Sequence, residues 1–115
     1  MSLLGGCERL ESCLLFRFTG QLDAYSDKQF GAFIAEHCSA GTDQAVVVDL
    51  TRIDFLDSSG LGALVQLAKD FQTNGRRFLV VGNARVVQTV KLVRLESFLH
   101  LQPDLDTAIG QLEAA

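Results

Sequence analysis

Short strand-like runs alternating with amphipathic helical runs predict an α/β fold, and two segments carry most of that reading. Ala45-Val46-Val47-Val48-Asp49-Leu50 is apolar at nearly every position. That is the pattern of a parallel strand covered on both faces, so it belongs at the sheet centre. Leu61, Leu64, Val65 and Ala68 recur at i, i+3, i+4 and i+7, which buries one face of a helix starting at or just before Ser58. Strands followed by helices in this way imply right-handed crossovers.

The remaining elements follow in chain order. Residues Leu4 to Leu10 read as a weak first strand, joined by a turn at Glu11-Ser12 to Cys13–Thr19, where Leu14, Phe16 and Phe18 alternate. Ser26 followed three residues later by Gln29 is a capping-box signal, and Phe30, Phe33, Ile34 and Cys38 continue at helical spacing until Gly41. The Ser58 helix ends at Asn74-Gly75. Arg77 to Val81 is a further buried strand, and Ala84 to about Leu95 a helix through Val86, Val87, Val90 and Val93. Asp104 caps a last helix bearing Leu105, Ala108, Ile109 and Leu112 on one face. Pro103 is the only proline, and the sequence contains no internal repeat, linker or low-complexity segment. The 115 residues are expected to form one domain, 1–115.

Composition narrows the function. The net charge is −4 and the only adjacent basic residues are Arg76-Arg77, so no basic stripe follows a phosphate backbone and direct nucleic-acid binding is not expected. Cys7, Cys13 and Cys38 are odd in number and lack metal-type pairing. They read as free thiols in a reducing cytoplasm. No stretch approaches the ~20 apolar residues of a membrane span, and the start Met1-Ser2-Leu3-Leu4-Gly5-Gly6 lacks the basic and apolar regions of a signal peptide. Met1-Ser2-Leu3 reads equally as a native start or as part of an expression leader. The expected localisation is cytoplasmic.

Enzyme motifs fail residue by residue. A serine hydrolase needs a base, but His37 and His100 are the only histidines and the Gly-x-Ser-x-Gly elbow is absent. Gly60-Leu61-Gly62-Ala63-Leu64-Val65 begins like a dinucleotide fingerprint and then has Val65 where the third glycine is required. No Walker lysine follows a glycine-rich loop. Asp49, Asp54 and Asp57 near a strand end suggest receiver-like Mg²⁺ chemistry, but the acidic pair after the first strand that this needs is missing. No catalytic residue, metal site or cofactor is expected.

The most informative segment is Leu56-Asp57-Ser58-Ser59-Gly60-Leu61-Gly62. It places two hydroxyls where a polar turn becomes a helix, and either Ser58 or Asp57 can supply the N-cap. Ser58 lies among the unpaired N–H groups of the helix start, which favour negative charge, so a phosphate there is locally tolerated. Ser59 is expected to hydrogen-bond the turn, and Gly60 to allow close approach of another backbone, a partner's or the chain's own.

This block, with the Ala45–Leu50 strand and Gly20-Gln21-Leu22-Asp23 upstream, resembles a STAS domain of the bacterial anti-sigma factor antagonist type. The resemblance covers nearly the whole chain. It implies a single α/β domain with a mixed, mostly parallel sheet of four to five strands and about four helices. By the same resemblance Ser58 is the serine phosphorylated by an anti-sigma factor serine kinase, and a protein phosphatase reverses the modification. The Gly20–Asp23 segment corresponds to a loop whose aspartate, here Asp23, helps dock the kinase, with Asp57, Ser59 and Gly60 also at the interface. Where the third helix of the family usually ends on Gly-Leu, this chain reads Arg94-Leu95-Glu96-Ser97-Phe98. The helix either runs on or ends without an αL glycine. The alternative functions are an unphosphorylated STAS scaffold or transport-accessory module, and a small-molecule or nucleotide-binding STAS domain.

Overall fold

The apolar run Ala45–Val48 is buried on both sides because it lies in the middle of a five-stranded sheet. The computed structural model describes residues 3–38 and 44–113. Its elements are β1 (Leu3–Arg9), β2 (Cys13–Leu22), α1 (Asp27–His37), β3 (Ala45–Leu56), α2 (Ser58–Thr73), β4 (Phe78–Gly82), α3 (Ala84–Leu92), β5 (Leu101–Gln102) and α4 (Leu105–Glu113). The sheet order is β1-β2-β3-β4-β5, with β1 antiparallel to β2 and every other neighbour parallel. The mixed, mostly parallel α/β architecture is therefore as expected, with four helices and five strands among the described residues.

A strand order that never reverses has a consequence for the helices. Crossovers of one hand put α1, α2 and α3 on the same face of the sheet. Phe30 and Ile34 of α1, Leu64, Ala68 and Phe71 of α2, and Val86 and Val90 of α3 accordingly share one core with Phe16, Phe18, Val46, Val48 and Val80. Helix α4 covers the opposite face, where Ala108 packs with Cys13, Leu15, Val47, Leu79 and Val81. Phe18 lies 4.8 Å from Phe30 and 5.7 Å from Phe33, centroid to centroid. Such aromatic pairs contribute about 0.5–1.5 kcal/mol each beyond area burial, and these hold α1 on β2.

Strand β3 continues six residues beyond the Ala45–Leu50 run read from sequence. Strand β4 pairs only as far as Leu50. Past it, β3 pairs with β2 alone, Thr19 opposite Arg52 and Leu22 opposite Leu56, through register shifts after Arg17 and Gly20. Each shift inserts an extra β3 residue and breaks the strict alternation, which is why Thr51–Leu56 did not read as strand. Gly20, Gln21 and Leu22, expected in a loop with Asp23, are the end of β2, and Gly20 adopts φ +114° beside the second shift. The Asn83 side chain braces this two-stranded extension: its amide donates to Thr51 O (3.1 Å) and Ile53 O (2.8 Å), while its oxygen accepts from Val86 N and caps α3.

Three further expectations change. The Ser26–Gln29 capping box does not form: Ser26 makes no side-chain cap bond, and Gln29 Nε2 donates instead to Leu3 O at 2.7 Å. Helix α3 ends at Leu92 rather than about Leu95, and Arg94 takes the left-handed conformation (φ 59°) usually given to glycine. The short β5 was not read at all, because two residues carry no period. The expected end of the first helix at Gly41 lies outside the described residues, as do Met1 and Ser2. Asp104 caps α4 as expected, accepting from Thr107 N at 2.7 Å. Cys7, Cys13 and Cys38 are free thiols, and burial pushes those of Cys13 and Cys38 up. No helix among the described residues is long and apolar enough to cross a membrane.

Candidate functional site

The C-terminal ends of β2 and β3 bring together two segments that are 35 residues apart in sequence, and both are organised around one atom, the carbonyl oxygen of Leu22. The first segment is the turn Leu22–Ser26 between β2 and α1. The second is Asp57–Gly60, the entry to α2. Asp57 N donates to Leu22 O at 3.4 Å. Gly60 is buried against the same peptide: a Cβ there would lie 2.7 Å from the Leu22 carbonyl carbon and closer still to its oxygen. Glycine is required at this position because backbone occupies the space a side chain needs. The close approach expected at Gly60 is thus made by the chain's own backbone, and Gly60 is buried beneath the α2 start.

The cap at α2 belongs to Asp57. Its backbone is extended (φ −103°, ψ −175°), its Oδ1 accepts from Gly60 N at 2.9 Å, and its carbonyl accepts from Leu61 N at 2.9 Å. Ser58 is therefore the first helical residue, not the cap, and its side chain is exposed. Ser59, one position on, is half-buried. The N–H groups of Ser58 and Ser59 belong to the first turn, which has no intrahelical acceptors, at the positive end of a sixteen-residue dipole. Ser58 thus combines solvent access, an adjacent carboxylate and a local field that favours an anion.

The Asp23 carboxylate is used inside its own turn. Oδ1 accepts from Tyr25 N (2.9 Å) and Ser26 N (3.1 Å), and Asp23 O accepts from Asp27 N (2.9 Å). The Ser26 hydroxyl, 3 % exposed as a residue, donates to Gln21 O at 2.7 Å and accepts from Asp23 N at 3.1 Å. This closed network fixes the turn and leaves Tyr25 95 % exposed. Sequence reasoning singled out Asp23 but missed Ser26 as the buried anchor and Tyr25 as the displayed residue. The available signal was Asp23 itself at a strand end, since an aspartate side chain accepts the backbone N–H two residues on and turns the chain there.

The other residues weighed in the sequence lie apart from this site. Helix α1 starts here and runs back along the sheet, so His37, its last residue, is at the far end, with its ring 4.3 Å from that of Phe33. His100 immediately precedes β5, at the opposite ends of the parallel strands, with Nδ1 3.1 Å from Phe78 O. Neither histidine is placed to take a proton from Ser58. Asp49 accepts from Thr51 N through Oδ1 and faces Arg17 Nε at 4.0 Å through Oδ2, whereas Asp57 is spent on its helix cap. Among the described residues no three His, Cys, Asp or Glu side chains converge as a metal site.

The family model of the STAS domain matches residues 7–108. The chain belongs to the STAS family. Its fold matches that of an anti-sigma factor antagonist from Mycobacterium paratuberculosis, at 24 % identity and TM-score 0.73, covering 97 % of this chain and 95 % of that one. It also matches the anti-sigma factor antagonist SpoIIAA in its unphosphorylated form (18 % identity, TM-score 0.74, 97 % and 100 % covered) and the Bacillus protein in its phosphorylated form (18 %, 0.70, 94 % and 98 %). A further likeness is to the murine anion transporter Slc26a9, at 17 % identity and TM-score 0.81. There 94 % of this STAS chain corresponds to 19 % of the transporter. At these identities the likenesses establish the fold.

Proposed function

We propose that this STAS protein is an anti-sigma factor antagonist: unphosphorylated, it binds an anti-sigma factor serine kinase and so frees a sigma factor, and phosphorylation of Ser58 ends the binding. The observation that carries this reading is the exposed Ser58 hydroxyl on the first residue of α2, directly after a cap that Asp57 already supplies. The chain is then substrate and switch rather than catalyst. The kinase transfers the γ-phosphoryl group of ATP to Ser58 Oγ, the hydroxyl proton leaves, and ADP is released. A protein phosphatase hydrolyses the ester to reset the cycle, and both partners meet the protein in the cytoplasm. Asp23, Asp57 and Ser59 surround the contact.

The switch is electrostatic. A phosphate adds about −1.5 to −2 charges beside Asp57. Against an anionic group of the kinase, a unit like-charge contact near 4 Å at an effective dielectric near 20 repels by roughly 4 kcal/mol, about a thousandfold in affinity. Within the chain the same charge sits at a helix N-terminus, where it is favoured, so the fold is retained in both states. The test is incubation with purified anti-sigma kinases of the source genome and ATP, followed by peptide mass spectrometry. One phosphate on Ser58, absent in Ser58→Ala, supports the reading; a phosphate on Ser59 or none at all refutes it.

The transporter likeness favours a second reading, a transport-accessory scaffold whose α2 start packs on a permanent partner. Capture on the immobilised protein separates the two. A kinase released on adding ATP supports the switch, and a membrane-transport partner indifferent to ATP supports the scaffold.

A further inference from the structure

We infer that Tyr25 is the aromatic anchor of the partner interface, and that Asp23 contributes to binding by shaping the turn that displays it rather than through its charge. This rests on the proposed kinase-binding role of the Ser58 face.

The turn is built to hold one ring in solvent. Both of its ends are fixed in the protein: Leu22 is fully buried and Ser26 is 3 % exposed, tied to Gln21 O and Asp23 N through its hydroxyl. Between these anchors the Asp23 carboxylate takes the N–H groups of Tyr25 and Ser26, which sets the direction in which Tyr25 leaves the chain. Tyr25 is 95 % exposed, more than any other large apolar residue in the described structure. A tyrosine on a preset turn loses only two side-chain torsions on docking, which is why such residues recur as anchors in binding loops.

Position says what it fits. The turn shares the Leu22 carbonyl with the α2 start, so Tyr25 and Ser58 stand on neighbouring segments of one surface. Phe55, 44 % exposed near the end of β3 and opposite Gln21 of β2, adds a second aromatic at this end of the sheet. The complementary surface is an apolar pocket on the kinase that approaches Ser58.

The test uses the full chain and the purified anti-sigma kinases of the source genome, with affinity read by calorimetry and phosphorylation read as kcat/KM. Tyr25→Ala is expected to weaken binding by about tenfold or more and to lower kcat/KM in parallel, with an unchanged melting temperature, while Tyr25→Phe keeps parent affinity within about threefold. Asp23→Asn retains the oxygen that accepts from Tyr25 N and Ser26 N, so it too stays within about threefold, whereas Asp23→Ala weakens binding with Tyr25→Ala. Parent-like binding by Tyr25→Ala overturns the anchor. Asp23→Asn as weak as Asp23→Ala shows that the charge docks directly, and overturns the shaping role. A parent chain that none of the kinases binds overturns the switch reading, and this inference with it.

Discussion

Two helices start at the same end of the sheet, each with a serine and an aspartate nearby, and the two hydroxyls have opposite fates. At α1, Ser26 turns inward, is 3 % exposed, and is consumed in bonds to Gln21 O and Asp23 N. At α2, Asp57 takes the cap and Ser58 stands one residue further on, in solvent. At α2 the cap bond from Gly60 N goes to Asp57, so Ser58 is exposed where Ser26 is held inward. In the α1 start the serine is structure, and in the α2 start the aspartate is.

The contrast is most exposed to test at Ser58. Phosphorylated protein is expected to bind the kinase about a thousandfold more weakly than the parent while melting at the same temperature. Ser58→Asp is expected to fall between the two, because a carboxylate carries one charge where the phosphate carries up to two. Calorimetry and thermal denaturation on the same samples check both halves. A phosphoprotein that melts much lower would mean that the switch acts through the fold.

Gly60 tests the support beneath that serine. Gly60→Ala drives a methyl group into the Leu22 carbonyl, so it is expected to destabilise the protein by about 3 kcal/mol in urea unfolding. Gly62, two residues along the same helix, has nothing within 4 Å of an added Cβ. Gly62→Ala should be neutral or slightly stabilising.

The serines themselves give a smaller and more direct comparison. Ser26→Ala strips a buried network and is expected to cost about 1–3 kcal/mol. Ser58→Ala should stay within about 0.5 kcal/mol, because the cap it leaves intact is that of Asp57. Equal losses at the two positions, measured by denaturant midpoint, would erase the distinction.

A third helix start, α4, sets the lower end of the scale. The backbone N–H of Thr107 holds the Asp104 carboxyl below its ordinary value. A depressed folded-state pKa means that its stabilisation is present above the unfolded value of about 3.9 and is lost as pH falls through the folded one. The group is fully exposed, so the expected effect of Asp104→Ala is slight. It should appear as a small stability difference from the parent at neutral pH that closes on acidification below about pH 4.

Much of this was legible in the chain itself. The unbroken run Ala45–Leu50 marked the central strand, the Leu61, Leu64, Val65 and Ala68 stripe marked α2, and Asp104 marked the α4 cap. These are signals of local periodicity and local capping, which need no knowledge of what lies across the sheet. The same segment put a modifiable serine at a helix start, and left open whether that serine or the preceding aspartate was the cap.

What tertiary structure decided is where partners remote in sequence determine the outcome. Asp57 becomes the cap in a chain whose N–H is drawn to Leu22 O, Gly60 must be glycine because that same carbonyl lies over it, and Asn83 reaches back about thirty residues to hold the end of β3. The Ser26–Gln29 box read from spacing gave way to Gln21 and Leu3 as competing acceptors, and the α3 end relied on Arg94 in a conformation that composition does not announce. Apolar periodicity reports which face of an element is buried, because burial is summed over many residues. The direction of one polar side chain is set by a single hydrogen-bond partner, and that partner is present only once the chain has folded.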